Sequence, residues 1–523
     1  MSDEEWAKLS TAMKSWQMGK SAVSYVATPI TAPIGWVMGS RLVGKGIKLV
    51  GIGPEEKYAV PEGSNLLHEP LLDLEQKMFV DGNEPPINSV TFFGGDAAEA
   101  AAILKKRCKL VFEANPWLCG KVGKPNQDTP MSIIHPPASD ITDELIDEYV
   151  FLNPKGVDMH EGMTYERLMS KTLSGGVSIP YAGTIGVPMF RITLVASGNN
   201  RDSGYDGEKR FGMTVTMNHI LGDGYTYYNI LNQICSDGPV TSLNPKRDLK
   251  VINKIQEAAA PGFNFFPSAG FIINMVTTLK FGSKMKASCF YVDPEKIKVF
   301  KEKAKEEGAD FVSTNDILTS TWGAATNARL VGMACNMRGR VEGADDTMAG
   351  NYENLIWLDS TTLKSPAKVR QAVDGGTPFK GCALPMPGFL ELSRSRNVLI
   401  TSWAAFGGEL KIDGCKQGLH FPCYELSRLP FDVAIVFVPL PGKLGMLYFS
   451  RKYADVDFRE MAGDGRMPLG QAVSSSIFPP YWWQEVPNLQ PRPAAAAAPP
   501  AAAAPPAASP AAAVPDANSQ TQV

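Results

Sequence analysis

The fold is decided by the stretch Phe211–Ile230, which reads FGMTVTMNHILGDGYTYYNI. Apolar side chains at 211, 213, 215 and 217 alternate with small or polar ones, a period-two pattern that predicts a strand with one buried face. By the same parity, His219 is expected to point to that buried face. The sequence Gly222-Asp223-Gly224 then predicts a turn, and an aromatic run that can be helical follows. The prediction is an inward-facing imidazole at a strand end, with a carboxylate four residues further on.

An isolated H-x-x-x-D-G pattern is short enough to occur by chance. A single histidine on an apolar face is more often a hydrogen-bonded core residue than a catalyst, although its side chain is chemically suited to proton transfer. The motif alone therefore leaves both interpretations open.

Composition narrows the class of protein. At 523 residues the chain is too long for one ordinary core and indicates about two domains. A formal net charge of −3 argues against a nucleic-acid partner. The apolar stretch Ser21–Gly51 is broken by Pro29 and Pro33 and does not predict a transmembrane helix. The start, MSDEEWAKL, does not resemble a signal peptide, and we expect a cytoplasmic protein.

The cysteines are scattered along the chain without a C-x-x-C pair. This spacing favours reduced thiols and predicts no zinc or other metal site. The eight positions are Cys108, Cys119, Cys235, Cys289, Cys335, Cys382, Cys415 and Cys423.

Shifts in composition predict the organisation of the chain. From about residue 487 the sequence is rich in Ala and Pro and has few large side chains to bury, which is typical of a disordered tail. A Gly/Pro-rich, aromatic segment near the middle is expected to cross over between two α/β halves. The predicted parts are an N-terminal extension 1–60, an N-terminal domain 61–257 containing H-x-x-x-D-G, the crossover 258–282, a C-terminal domain 283–486, and the tail 487–523.

Local patterns predict both helices and strands. Helices are expected from the Asp96 cap to just before Pro116, from Asp293-Pro294 to Gly308, and over Thr314–Leu330. Strands are expected over Met189–Ala196, Phe211–His219, Asn397–Trp403 and Phe431–Val438.

Several segments line up in order with the plant and fungal BAHD-type acyl-CoA transferases, members of the superfamily of chloramphenicol acetyltransferases and condensation domains. The NHILGDG stretch resembles their catalytic H-x-x-x-D-G, and four further segments resemble other motifs of the family. These are LKKRCKLVFEANPWLCGKV at 104–122, STNDILTSTW at 313–322, CNMRGRV with GNY at 335–352, and TSWAAFGGELKIDG at 401–414. The resemblance covers roughly residues 85–455.

The resemblance implies a fold and an activity. The fold would be α/β, with two chloramphenicol-acetyltransferase-like domains, mixed sheets flanked by helices, and an active-site channel at the domain interface. The activity would be transfer of an acyl group other than an aminoacyl group from acyl-CoA to a hydroxyl, with an amine as the second option. Acyl-CoA would be a co-substrate, and no cofactor would be permanently bound. His219 would be the general base.

The resemblance also implies supporting roles. In the family, the carboxylate matching Asp223 points away from the imidazole and pairs with an arginine, which here is Arg338, helped by Asn351. Gly224 would let the chain turn sharply after the aspartate.

Three further residues of the 401–414 segment are candidates for the site. Ser402 and Trp403 would face the channel and are candidates for oxyanion stabilisation or substrate contact. Asp413 would be structural at the domain interface.

Two positions depart from the family pattern. Asn336 stands where an aspartate is usual, and the D-F-G-W-G loop is reduced to Asp413-Gly414-Cys415. At a third position, Asn218 stands where many condensation domains have an additional histidine. BAHD members do without that histidine.

Other functions stay open at this point. They are a wax-ester or diacylglycerol synthase-like enzyme, a peptide-type condensation enzyme, and a non-catalytic binding descendant. The apolar run over 262–276 favours a lipophilic acceptor or acyl chain, although packing of the crossover against the core explains it equally well. We expect a monomer that binds acyl-CoA and a small acceptor, with peripheral membrane contact left open.

Overall fold

The computed structural model describes residues 64–76, 86–126, 128–154, 157–174, 177–179, 186–197, 209–259, 269–374, 387–451, 457–459 and 466–479. The predicted extension 1–60 and the predicted tail 487–523 lie outside these residues. So do Gly262–Pro267 of the predicted crossover and Cys382.

The strands of the described residues fall into three sheets. In chain order they are β1 Leu67–Pro70, β2 Ile87–Gly94, β3 Lys121–Gly123, β4 Ser132–His135, β5 Val150–Leu152, β6 Phe190–Ala196, β7 Arg210–Met217, β8 Lys286–Val292, β9 Leu330–Asn336, β10 Glu353–Asp359, β11 Asn397–Ser402, β12 Lys416–Pro422, β13 Val433–Leu440, β14 Lys443–Ser450 and β15 Leu469–Ala472.

Helices accompany the sheets. In chain order they are α1 Asp73–Glu75, α2 Ala97–Ala114, α3 Asp143–Ile146, α4 Tyr165–Thr172, α5 Gly224–Ile234, α6 Leu249–Ala259, α7 Ala269–Phe281, α8 Pro294–Glu306, α9 Thr314–Ala325, α10 Pro366–Asp374 and α11 Phe389–Leu392. Within the described residues, none of these helices is both long enough and apolar enough to cross a membrane.

The two larger sheets are mixed, the three-stranded sheet is antiparallel, and the α/β prediction is confirmed. The order is β1-β4-β3 in a three-stranded sheet, β12-β2-β7-β6-β5 in a five-stranded sheet, and β10-β9-β11-β13-β14-β8-β15 in a seven-stranded sheet. The pairs β5–β6, β9–β11 and β11–β13 are parallel, and the other pairs are antiparallel. Strand β12, from the second half of the chain, joins β2 from the first half. The domain boundaries stay a prediction.

The predicted burial of β7 on one face only is wrong, because both faces are buried. The polar face is covered by another segment, and there the Thr214 hydroxyl lies 4.0 Å from the sulfur of Met159. A threonine hydroxyl can be buried where it finds such a partner. The strand also ends at Met217, so parity along the strand does not fix where His219 points.

Two of the three predicted helices begin and end close to the predicted residues. Asp96 caps α2 and Asp293 caps α8 with side-chain oxygens. The third helix was predicted too long, because α9 ends at Ala325 rather than at Leu330. Asn327 turns the chain with a φ of 50°, and the apolar residues that follow belong to the buried strand β9. Short apolar runs do not distinguish buried strand from helix.

Part of the predicted crossover forms α7. Its Phe271 and Met275 are buried in a small core with Leu330, Leu355, Trp357 and Leu392. For these two side chains the structure supports packing of the crossover against the core.

Several chain segments meet along one edge of the seven-stranded sheet, where the ends of its strands lie side by side. Strands β9, β11 and β13 are parallel and end there, at Asn336, Ser402 and Leu440. Antiparallel pairing places the start of β10, the start of β14 and the end of β8 at the same edge. The sequence segments that resemble different family motifs therefore meet in one region.

Candidate active site

His219 lies in a tight turn directly after β7. The turn is held by Asn218, whose side-chain Oδ1 accepts from Ile220 N at 2.9 Å and whose backbone oxygen accepts from Leu221 N at 2.9 Å. Asparagine favours such turns because its side chain bonds the backbone two residues on. His219 is partly buried.

Asn351 holds the imidazole of His219. Its Oδ1 lies 3.0 Å from Nδ1 of the ring, and its Nδ2 donates to the backbone oxygen of His219 at 2.8 Å. Because Nδ2 is used as a donor to the carbonyl, the amide oxygen faces the ring, and Nδ1 must carry the hydrogen. The hydrogen-bond network thus assigns the tautomer. Nε2 is the unprotonated nitrogen, as a general base requires.

The environment of His219 keeps the ring neutral. Burial lowers its pKa below the usual value, although the hydrogen bond to Asn351 and the charge of Asp223 act in the opposite direction. A lowered pKa means that the basic form persists below pH 6.5. Among the described residues, no group of three or more His, Cys, Asp or Glu side chains could hold a metal ion.

Asp223 is bound to Arg338, as predicted. Arg338 Nη1 lies 2.7 Å from Asp223 Oδ2, and both side chains are at most 1% exposed. Asp223 also accepts from Tyr352 N at 3.0 Å and from Thr226 N at 3.0 Å, and it caps α5. The carboxylate is therefore committed to the arginine and to backbone amides, and the partner of His219 Nδ1 is Asn351 instead.

Arg338 ties the two halves of the chain together at this point. Its Nη2 donates to Gly350 O at 2.9 Å, and its guanidinium lies 4.4 Å from the ring centre of Tyr225. Asn336 accepts from Arg338 Nη1 at 3.0 Å, so the side chain that departs from the resembled D-x-R-x-R motif still supplies an acceptor. Gly350 has a φ of 135°, a conformation that side-chain-bearing residues rarely adopt.

Trp403 packs against the start of α5. A Cβ atom at Gly224 would lie 3.4 Å from its Nε1, and its ring is 5.7 Å from that of Tyr228. The chain passes at Gly224 from the extended Asp223 into the helix, and Gly224 is not among the glycines with positive φ, so this change of direction does not use a left-handed conformation. Ser402 ends β11 at the same edge of the sheet.

Asp413 is not brought into this arrangement. It lies exposed in the turn before β12, where Gly414 has a φ of 72°. The turn contacts the first half of the chain elsewhere, since a Cβ atom at Gly95 would lie 2.8 Å from the sulfur of Cys415.

Two functional candidates were missed by sequence reasoning. Glu75 and Arg247 form a second buried ion pair, with Arg247 Nε 3.2 Å from Glu75 Oε1. Arg247 also donates to the backbone oxygen of Ile220, next to His219. No motif marks either residue, and they are 172 positions apart, so only the folded chain reveals the pair.

A cationic cavity opens at the same edge of the seven-stranded sheet. It has a volume of about 720 Å³. Lys298, Lys301 and Lys443 line it, together with Asp293, whose carboxylate is used as the cap of α8. Strand β8 borders this cavity, and β9 leads to Arg338. The two strands are four strand spacings apart, so the cavity lies about 19 Å from the Arg338 region.

Comparison of the whole fold with solved structures finds TRI101 proteins and condensation domains. No protein-family model and no curated protein sequence matches the chain. TRI101 of F. graminearum, solved with coenzyme A and T-2 mycotoxin, aligns at 15% identity and a TM-score of 0.48 over 74% of this chain and 95% of that one. TRI101 of F. sporotrichioides, solved with coenzyme A and T-2, aligns at 14% identity and 0.43 over 70% and 91%.

A condensation domain is also similar. The first condensation domain of the CDA synthetase aligns at 13% identity and a TM-score of 0.45 over 73% of this chain and 92% of that one.

Proposed function

We propose that the protein is an acyl-CoA-dependent acyltransferase of the BAHD type, with a hydroxyl compound as the acceptor. The observation that carries the proposal is the hydrogen bond between His219 and Asn351. It leaves Nε2 unprotonated on a histidine whose pKa is lowered by burial. The co-linear motifs of the sequence add to this proposal, because Asn351 of the GNY segment is bonded to that histidine and Arg338 of CNMRGRV is bonded to Asp223.

The proposed reaction needs one base. His219 Nε2 takes the proton of the acceptor hydroxyl while its oxygen attacks the thioester carbonyl, forming a C–O bond. The C–S bond then breaks, and the imidazolium returns the proton to the departing thiolate of coenzyme A. Asp223 takes no proton in this scheme, since it is bound to Arg338 and to backbone amides.

A covalent acyl-cysteine route is disfavoured by the state of the thiols. The nucleophile would be a thiolate, and burial raises the pKa of every cysteine in the described part of the chain. Cys335, close in sequence to Arg338, has its pKa raised to about 12. Direct transfer in a ternary complex avoids this obstacle.

The cationic cavity is the proposed site for the phosphates of the coenzyme. Lysine side chains bind phosphate as point charges, and the cavity lies at the same sheet edge as Arg338. A long, flexible arm would carry the thioester from there to His219. In the double variant Lys301→Glu, Lys443→Glu, the KM for acyl-CoA should rise at least about tenfold with little change in kcat. An unchanged KM would contradict this assignment.

The activity itself is tested by mass spectrometry. Acetyl-, octanoyl- and palmitoyl-CoA are incubated with the protein and a pooled metabolite extract, with His219→Ala as the matched control. We expect acyl-CoA consumption and a new acyl ester that the control does not form. Palmitoyl transfer to long-chain alcohols would favour the wax-ester type, and strict use of acetyl-CoA with small polar acceptors would exclude a lipophilic substrate. If no donor is consumed, the proposal is wrong.

A further inference from the structure

The buried pair Glu75–Arg247 lies against the residue that holds the candidate base. Arg247 Nε is 3.2 Å from both carboxylate oxygens, and Glu75 is 5% exposed. The carboxylate also approaches Asn351, with Oε1 3.5 Å from the amide nitrogen Nδ2. The pair therefore connects the short helix α1 to the site.

The amide of Asn351 has two acceptors on its nitrogen side. One is the backbone oxygen of His219 at 2.8 Å, and the other is Glu75 Oε1. Rotation of the amide by half a turn would place its oxygen against both of these acceptors. Such an arrangement would lose two hydrogen bonds and bring like partial charges together. Glu75 thus opposes the rotation.

The orientation of the amide determines the state of the imidazole. With Oδ1 towards the ring, Nδ1 of His219 must donate, and Nε2 has the lone pair. With Nδ2 towards the ring, Nδ1 would accept and Nε2 would carry the hydrogen. A histidine in the second state cannot remove a proton from an acceptor at Nε2.

Arg247 holds Glu75 in place and braces the turn. Its Nη1 donates to Pro245 O at 2.6 Å, and its Nη2 donates to Ile220 O. The other carboxylate oxygen of Glu75 accepts from Leu72 N at 3.1 Å. A fully bonded carboxylate of this kind has little freedom to turn away from Asn351.

We propose that Glu75 is a positioning residue that acts through Asn351 to hold His219 in the tautomer with hydrogen on Nδ1. The catalytic consequence rests on the proposed function, whereas the tautomer can be measured without any substrate. Two different readouts therefore separate the two ideas.

The first experiment reads the tautomer by NMR on full-length protein with isotope-labelled histidine nitrogens. The chain has only five histidines, and His219→Gln assigns the signal. Wild type should show the Nδ1–H form, and Glu75→Gln should show a substantial share of Nε2–H, because a glutamine amide can donate to a rotated Asn351. An unchanged tautomer in a folded Glu75→Gln variant would overturn the proposal.

A second variant covers the case in which Glu75→Gln does not fold. Glu75→Asp keeps the charge facing Arg247 and withdraws the carboxylate from Asn351 by one methylene, so it should shift the tautomer in the same direction. A spectrum identical to that of wild type would contradict the positioning role.

The matched control is Asp432→Asn. Asp432 is also a buried carboxylate bound to an arginine, with Arg396 Nη1 at 3.2 Å, but it precedes β13 at the opposite edge of the sheet. This variant should lose stability without changing the tautomer of His219. A tautomer shift there as well would mean that any weakened ion pair disturbs the site.

The second experiment uses acyl transfer. Glu75→Gln should lower kcat by about ten- to a hundredfold with KM within about twofold, since ground-state binding is unaffected. A shifted tautomer with unchanged kcat would overturn the catalytic consequence. A shifted tautomer in a protein that transfers no acyl group at all would leave the positioning correct and contradict the proposed function.

Discussion

Two histidines of this chain, His219 and His420, show how a core residue differs from a candidate base. His420 lies in β12 and is 4% exposed. Its Nδ1 is 2.8 Å from the hydroxyl of Thr91, and its Nε2 is 2.9 Å from the hydroxyl of Tyr228. Burial lowers its pKa to about 4. Both ring nitrogens serve the packing of the two halves of the chain.

His219 shares the lowered pKa but not the surroundings. It is less buried, and its Nδ1 meets an amide whose orientation is set by other acceptors. Hydroxyl partners can donate or accept, so they accommodate either tautomer of His420. The amide of Asn351 accommodates only one. A perturbed pKa by itself therefore does not distinguish the two histidines, whereas the chemistry of the partner does.

The largest expected effect is a difference in turnover between variants of the two histidines. In His219→Ala we expect turnover to fall by roughly a hundred- to ten-thousandfold, the usual contribution of a general base. Coenzyme A binding and the fold should stay largely intact, which isothermal titration and circular dichroism would check.

The control for that experiment is His420→Ala. Turnover should stay within about threefold, while the stability falls because two buried hydroxyls lose their partner, at about 1–3 kcal/mol each. Near wild-type turnover in His219→Ala, or a collapse of turnover in a stable His420→Ala, would reverse the assignment.

The next effect concerns the ion pair beside His219. Asp223→Asn strands the buried charge of Arg338 and should lower the free energy of unfolding by about 3–5 kcal/mol. Urea unfolding followed by tryptophan fluorescence measures this change. A free energy of unfolding equal to that of wild type would show that the pair contributes little to stability. His420→Ala removes neutral hydrogen bonds, whereas Asp223→Asn leaves a buried charge unpaired. Comparing the losses in the free energy of unfolding of the two variants therefore shows the contribution of the charge.

A smaller effect should appear in the pH dependence of stability. The pKa of His420 is about 4 in the folded chain and about 6.5 when unfolded, so the unfolded state binds the extra proton between these values. Stability should fall as the pH drops from about 6.5 to about 4, with about 3 kcal/mol from this residue. His219 acts in the same direction.

Urea unfolding at several pH values, with wild type and His420→Gln side by side, isolates that contribution. The difference between the two proteins should change by the predicted amount across the window. Parallel curves would exclude His420 as the source. The acidic limb of kcat/KM should lie below pH 6.5 in both proteins, since it reports His219.

The smallest effect is expected from the tail. Deletion of residues from Gln490 onwards should change neither the turnover nor the melting temperature, because repeated Ala and Pro offer little to bury. Activity assays and differential scanning calorimetry test this. A fall in either quantity would mean that the tail binds the folded part. The pH dependence of stability and of kcat/KM would then have to be measured again with the shortened chain.

Sequence reasoning located His219, Asp223, Arg338 and Asn351 because each lies in a short motif, and the structure brings all four together. It could not foresee that β7 is buried on both faces, since another segment covers the face that the threonines signal as exposed, and there the Thr214 hydroxyl meets the sulfur of Met159. It extended α9 into β9, because an apolar run fits either element. Glu75 and Arg247 carry no local signal at all, and only long-range folding brings them together.

Strand β12 gives the chain a particular order of assembly. The five-stranded sheet is built mainly from residues before 218, yet in the described part of the chain the strand that pairs with the outer side of β2 is formed by residues 416–422. During synthesis, the first half emerges with an open sheet edge and must wait for almost two hundred further residues before that edge is closed. A chain that ends between the halves would keep this edge unpaired and would be prone to aggregate.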